Sequence, residues 1–384
     1  MCSLRDRCLL VTLSMFGLLT CAGVAQEGIN GEAAYISFSV PSALGTYPMS
    51  INASMTVTGY YYISPTTTDG FVREADGAIT TFSVRDGVWT EPESINAAGD
   101  VTGFFELVAG VPQGFERYAD GRIVTFDPAC VFCIPSPQAQ PVAINNSGEI
   151  AGNYPFPLSA SQGFRRSPGA VFSQVGLAGD SLGAAYAAIV TGLNGSGTVV
   201  GYVPFYSESF ISHPDGFTAW FSVPVAEDPD CVSATIADSV NSDGFVTGWY
   251  SAESSPFPTH RCETKLGGGF VRSPQGVFTL FNPPGTLVTL PQWPGEFIAP
   301  APAISAPHRL SINQEGSITG SYTDTEGAQH GFVRNPFGTI TSFDPPRGGQ
   351  TLATSINDSG VIVGSYFYDW NTQIAQGFLR VPHP

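Results

Sequence analysis

The sequence predicts an all-β protein: a seven-bladed β-propeller of four-stranded antiparallel blades, its ring closed by an N-terminal strand that completes the last blade. Three observations carry this. A short phrase recurs seven times, no sustained 3.6-residue apolar period follows the first thirty residues, and the last repeat stops before its fourth strand while an orphan fourth strand stands at the start of the chain.

The recurring phrase is a small residue, an aliphatic residue and Asn, then x-x-Gly-x-Val/Ile-x-Gly. It begins at Ser50, Ser94, Ala143, Gly192, Ser239, Ser311 and Ser355, and the first copy carries Met55 in place of its first Gly. Successive copies lie about forty to fifty residues apart, the range of propeller blades, with one longer stretch between Asn241 and Asn313.

Each repeat resolves into four strands. The first ends at the Asn, and Asn-x-x-Gly supplies a hairpin turn because Asn bonds its own backbone two residues on and Gly takes positive φ without penalty. The second strand resembles Val361 to Tyr366, the third Gly377 to Arg380 and the fourth Thr339 to Phe343. Asp76-Gly77, Asp120-Gly121, Pro168-Gly169 and Asp215-Gly216 turn the third strand into the fourth. Residues 35–40 (Tyr-Ile-Ser-Phe-Ser-Val) match fourth strands such as Thr218 to Val223 although no repeat precedes them, so they are expected to complete the seventh blade. A solenoid would need polar caps instead. The predicted domain runs from 35 to 384.

Six third strands place Arg two residues after Phe, at Phe71/Arg73, Phe115/Arg117, Phe164/Arg166, Phe270/Arg272, Phe332/Arg334 and Phe378/Arg380; Phe210/Ser212 is the exception. Period two puts both on one face. The expectation is an Arg stem packed on the neighbouring blade with its guanidinium at the rim. The small residue opening each phrase is expected where sheets converge on a common axis.

The pattern Ser-Ile-Asn-x-x-Gly-x-Ile-x-Gly-x-Tyr, then His/Gln-Gly-Phe-x-Arg, then Gly-x-Ile-Thr-x-Phe-Asp-x-Pro, clearest at 311–345 and 355–380, resembles the HAF-type extracellular repeat of secreted bacterial proteins. The resemblance implies a secreted repeat protein and assigns no reaction or catalytic residue. The chain lacks the Gly-Gly of kelch blades and the Trp-Asp of WD40 blades.

Residues 1–25 carry Arg5 and Arg7, an apolar run from Cys8 to Leu19 and a Gly23-Val24-Ala25 exit, the layout of a secretory signal peptide. The competing reading is a lipoprotein leader with a lipid anchor at Cys21. The expected location is secreted, extracellular or periplasmic, with no apolar run long enough to span a membrane. A net charge of -17 and a single lysine, Lys265, argue against nucleic acid and anionic membranes as partners. Beyond the leader, Cys130, Cys133, Cys231 and Cys262 form an even set in an oxidising compartment, read as Cys231–Cys262 and Cys130–Cys133 disulfides. A lone Cys-x-x-Cys is weak evidence for zinc.

Loops on the Asn-turn face are short and uniform; those on the other are long, variable and rich in aromatics. Variable loops on a rigid scaffold are where recognition concentrates. The candidate contacts are Trp89, Phe205, Tyr206, Trp293, Tyr368 and Trp370. No nucleophile elbow, metalloprotease helix, phosphate loop, metal site or cofactor motif occurs. The function expected is therefore a non-enzymatic, monomeric module binding a glycan or protein through the long-loop face. The alternative is an extracellular polysaccharide-active enzyme using Glu93 and Asp238 at the channel mouth, each two residues before an aliphatic residue of a first strand.

Overall fold

The computed structural model describes residues 25–26, 33–107, 110–128, 138–156, 160–175, 188–204, 208–224, 232–253, 267–286, 309–346, 348–367 and 374–383. Every regular element among them is a strand.

The first unit is an antiparallel meander of Thr46–Ile51, Val57–Ser64, Thr67–Arg73 and Ile79–Phe82. The same arrangement recurs with each repeat, for example Gln140–Ile144, Ile150–Phe156, Ala160–Arg166 and Phe172–Val175. In the last repeat, Gly349–Ile356, Ile362–Phe367 and Ala375–Val381 are joined by Ala34–Phe38, which pairs antiparallel with Ala375–Val381. The two-residue strand Ala25–Gln26 adds to the outer edge of Ala34–Phe38. The first two units are further linked by a parallel bridge between Thr68 and Trp89.

Each first strand contacts the first strand of the next unit, and the last contacts the first. The turn asparagines tie this inner ring. Asn52, Asn96, Asn145, Asn194, Asn241, Asn313 and Asn357 are buried, and each donates its side-chain amide to the main-chain carbonyl of the next Asn, at 2.9 to 3.3 Å, Asn357 returning to Asn52. Their side-chain oxygens accept main-chain N–H groups within their own turns, such as Thr56 on Asn52 and Ser317 on Asn313.

Where the small residue opening the phrase is Ser, it does more than fit. Ser50 Oγ accepts the N–H of Ile95, Ser94 that of Ile144, Ser239 that of Ile312, Ser311 that of Ile356 and Ser355 that of Ile51. The glycine that ends the phrase is sterically compulsory: a Cβ at Gly59 would lie 2.1 Å from the carbonyl oxygen of Tyr47, and Gly103, Gly201, Gly248 and Gly364 stand equally close to a first-strand carbonyl.

The apolar core is divided among the seams between units rather than gathered at one centre. Phe38 and Val40 of the chain's start, Val361, Val363 and Leu379 of its end, and Ile51, Val57 and Phe71 of the first unit form one such cluster. The repeated arginines cap these seams in a way that differs from the rim position expected. Arg73, Arg117, Arg166 and Arg334 are buried, and the guanidinium of each of the six lies over the fourth-strand Phe of the preceding unit, 4.7 to 5.2 Å from its centroid. The cation lies against a ring rather than water, and its edge finds oxygen partners: Arg73, Arg117, Arg272 and Arg334 donate to the carbonyl of the next residue, and Arg166 to Glu116.

The fourth unit departs from this rule on both sides at once. Val175 stands where the preceding unit should offer a Phe, and Ser212 where the Arg should be. Arg165 of the third unit fills the gap, its guanidinium donating to the carbonyl oxygens of Gly197 (2.5 Å) and Ser212 (2.6 Å).

Candidate functional site at the inner strands

First strands share a β-bulge just before the small residue of the repeat phrase, seen as register shifts at Pro48/Ser50, Pro92/Ser94, Pro141/Ala143, Val190/Gly192, Ala237/Ser239 and Ala353/Ser355. A bulge leaves one residue unpaired and re-aims its side chain. Here it aims at the next unit: Thr191 Oγ1 donates to Ala237 O (2.6 Å) and Thr354 Oγ1 to Pro48 O (2.9 Å). Glu93 and Asp238 occupy this same bulge position.

Asp238 behaves like the threonines with the polarity reversed, its Oδ2 accepting the N–H of Leu310 at 3.1 Å. Glu93, one methylene longer, meets Arg309 instead, with Nη1 and Oε2 3.5 Å apart. Arg309 belongs to the sixth unit and Glu93 to the second, which are not neighbours, so this contact crosses the interior of the inner ring.

Burial dominates the electrostatics. It pushes the Asp238 carboxyl up to about 7, opposed by the Leu310 N–H and by Arg309. It raises Glu93 as well, with Arg309 opposing. Glu91, two residues earlier on the same strand, is pushed up to about 8 by burial and then by the charges of Glu93 and Glu106. Glu106 Oε2 accepts the N–H of Gly110.

Beside these carboxyls stands a tyrosine cluster on the first unit. Tyr47 and Tyr60, opposite each other on paired strands, stack with centroids 5.1 Å apart and planes 12° apart; Tyr62 meets both edge-on, at 5.6 and 6.0 Å. Burial raises Tyr60 well above 10, reinforced by Glu91, Tyr62, Glu93 and Tyr47. Tyr202 on the fourth unit is likewise raised by burial and by Asp238, with Arg309 opposing. These phenols stay protonated at neutral pH. A protonated phenol can donate a hydrogen bond.

Of the six aromatics expected as ligand contacts, Trp89 is half-buried and its indole N–H donates to Thr66 O at 2.8 Å, next to the parallel bridge between the first two units. That role ties two units together. Phe205, Tyr206, Trp293, Tyr368 and Trp370 lie outside the described residues, as do Cys130, Cys133, Cys231, Cys262, Cys21 and all of the leader before Ala25.

Sequence reasoning passed over Tyr47, Tyr60, Tyr62, Glu91 and Arg309. Two signals were available. Arg309 is the one charged residue two places before the small residue, where the other repeats carry Pro48, Pro92, Pro141, Val190, Ala237 and Ala353, and Tyr60-Tyr61-Tyr62 is a run found in the first repeat alone. Among the described residues no cluster of three His, Cys, Asp or Glu side chains could hold a metal ion, and no helix is long and apolar enough to cross a membrane.

No protein-family model and no curated protein sequence matches the chain. Solved structures do match in fold. A streptogramin B lyase superposes with a TM-score of 0.53 at 12% identity, over 91% of this chain and 98% of that one. A catalytically inactive virginiamycin B lyase from Staphylococcus aureus, bound to quinupristin, superposes with a TM-score of 0.56 at 12% identity, over 91% and 100%. These are propeller proteins, and the chain shares their all-β propeller-like architecture of four-stranded antiparallel sheets. At this identity the likeness is one of fold alone.

Proposed function

We propose that the protein is a secreted seven-bladed β-propeller of the HAF-repeat type that binds a saccharide, without catalysis, at the head of its inner strands on the long-loop side. The closed circuit of turn asparagines supports the blade count, and the pairing of Ala34–Phe38 with Ala375–Val381 supports closure by first and last segments. One observation carries the functional reading: stacked tyrosine faces stand beside buried carboxyls and phenols that keep their protons at neutral pH. Sugars present apolar ring faces for stacking and many oxygen acceptors, which suits aromatic planes edged with donors. A glycan-array screen followed by calorimetry tests it. Tyr47→Ala should abolish binding of whichever glycan is found while leaving the β-sheet circular dichroism unchanged; full retention of binding would remove this site.

A polysaccharide-active enzyme is the second reading, supported by the association of Glu93 and Asp238, from units two and five, with a single Arg309. Two carboxyl groups in one site can divide acid and base roles. It requires that Glu93→Gln lower the release of reducing ends or unsaturated products from a bound polysaccharide by orders of magnitude.

A further inference from the structure

Arg309 is a departure from the repeat that the fold does not require. At its position the other first strands carry Pro, Val or Ala, and those strands still pair and close the ring. Its pairing is also unlike the other Arg–Glu pair that joins two units among the described residues. Arg166 and Glu116 meet at 2.9 Å with side chains 4% and 6% exposed, whereas Arg309 touches Glu93 through one contact at 3.5 Å with 31% of its own side chain exposed. Among the described residues Arg309 shows no second hydrogen bond.

The partner is a poor one for chemical reasons. Glu93 is nearly enclosed, and burial works against its ionised form. The groups that act on the pair or are acted on by it are Glu91 and Tyr60 beside Glu93, and Asp238 and Tyr202 beside Arg309. At neutral pH the Tyr202 phenol, within reach of Arg309, and the Glu91 carboxyl and Tyr60 phenol, within reach of Glu93, hold their protons and present donors. An ammonium group would be repelled by the guanidinium; a carboxylate would be received by it. Charge-assisted bonds from Arg to carboxylate are the strong, geometrically specific ones.

We propose that Arg309 is the specificity-determining residue of this site and selects saccharides bearing a carboxylate, the uronic-acid class. The sugar's carboxylate takes the guanidinium from Glu93, and Glu93 accepts a proton from solvent, so the site's charge balances on binding. This rests on the saccharide reading above; the tyrosine faces hold the ring and Arg309 reads its acid.

The test is calorimetry on the full mature chain with oligomers of galacturonate, mannuronate and glucuronate, each beside its methyl ester, which has the same backbone without the charge. At least one acid should bind about tenfold or more tightly than its ester. Arg309→Gln should remove that preference while leaving ester binding in place, and Glu93→Gln, which frees the guanidinium, should tighten the acid several-fold. Equal binding of acid and ester would overturn the role of Arg309 and leave the saccharide reading standing. So would an acid preference that survives Arg309→Gln or weakens in Glu93→Gln. Binding of polyglutamate with none of the sugars would make the ligand an acidic peptide and sink both readings, as would silence from every probe.

Discussion

The side-chain amide of Asn357 donates to the main-chain carbonyl of Asn52 across 3.1 Å, although 305 positions separate them. The same side chain's oxygen accepts the N–H of Val361 in its own turn. One residue type thus closes a local hairpin and ties one unit to the next, which is why Asn is retained at all seven turns where Asp or Ser could have served the hairpin alone.

Asn357→Ala should therefore cost about 1–3 kcal/mol, because it leaves the buried Val361 N–H without a partner and strips the Asn52 carbonyl of one of its two donors, the N–H of Met55 remaining. The neighbouring Asp358 makes an exposed bond to the N–H of Gln314, and Asp358→Ala should stay within about 0.5 kcal/mol. Denaturant titration of the two variants decides. Similar small losses would mean that the asparagine circuit contributes nothing beyond the turn.

Gly316 adopts φ +82, and a Cβ there would meet nothing nearer than Pro336 at 3.8 Å. Gly316→Ala isolates backbone strain from steric clash, and thermal melting should show a loss of about 1–2 kcal/mol. A neutral result would show that the turn relaxes freely, consistent with Met55 taking φ 64 at the equivalent place.

Arg165 should matter more to stability than its unrepeated position suggests. Arg165→Met removes donors from the carbonyls of Gly197 and Ser212, inside a seam that lacks the usual arginine and phenylalanine. The expected cost is about 2–3 kcal/mol. Unchanged unfolding of this variant would mean that water satisfies those carbonyls equally well.

Glu91 sets a pH dependence whose sign is fixed. Its folded-state value is pushed up from 4.5 to about 8, so the folded state holds a proton that the unfolded chain has lost. Its contribution to stability is full below pH 4.5 and declines as pH rises to 8. Melting temperature of the parent should fall through that window, and Glu91→Gln should flatten the fall. Parallel profiles for parent and variant would remove Glu91 as the cause.

The repeat phrase, its spacing and the orphan strand at residues 35–40 were enough to read strands, turns and an all-β propeller-like architecture, because hairpin chemistry and period-two patterning are local. Glu93 and Asp238 were legible as carboxylates at equivalent places in two first strands for the same reason, whereas the bulge that aims them was not. What the chain could not reveal by itself was who meets whom across the ring. The contact of Arg309 with Glu93 spans 216 positions and depends on the angle between non-neighbouring sheets. The burial of the six arginines against aromatic rings, the substitution of Arg165 for a missing pair, and the raised carboxyls beside Tyr60 arise from the same cause. Desolvation and long-range contacts are properties of packed surfaces, and they come into existence only when the sheets close on one another.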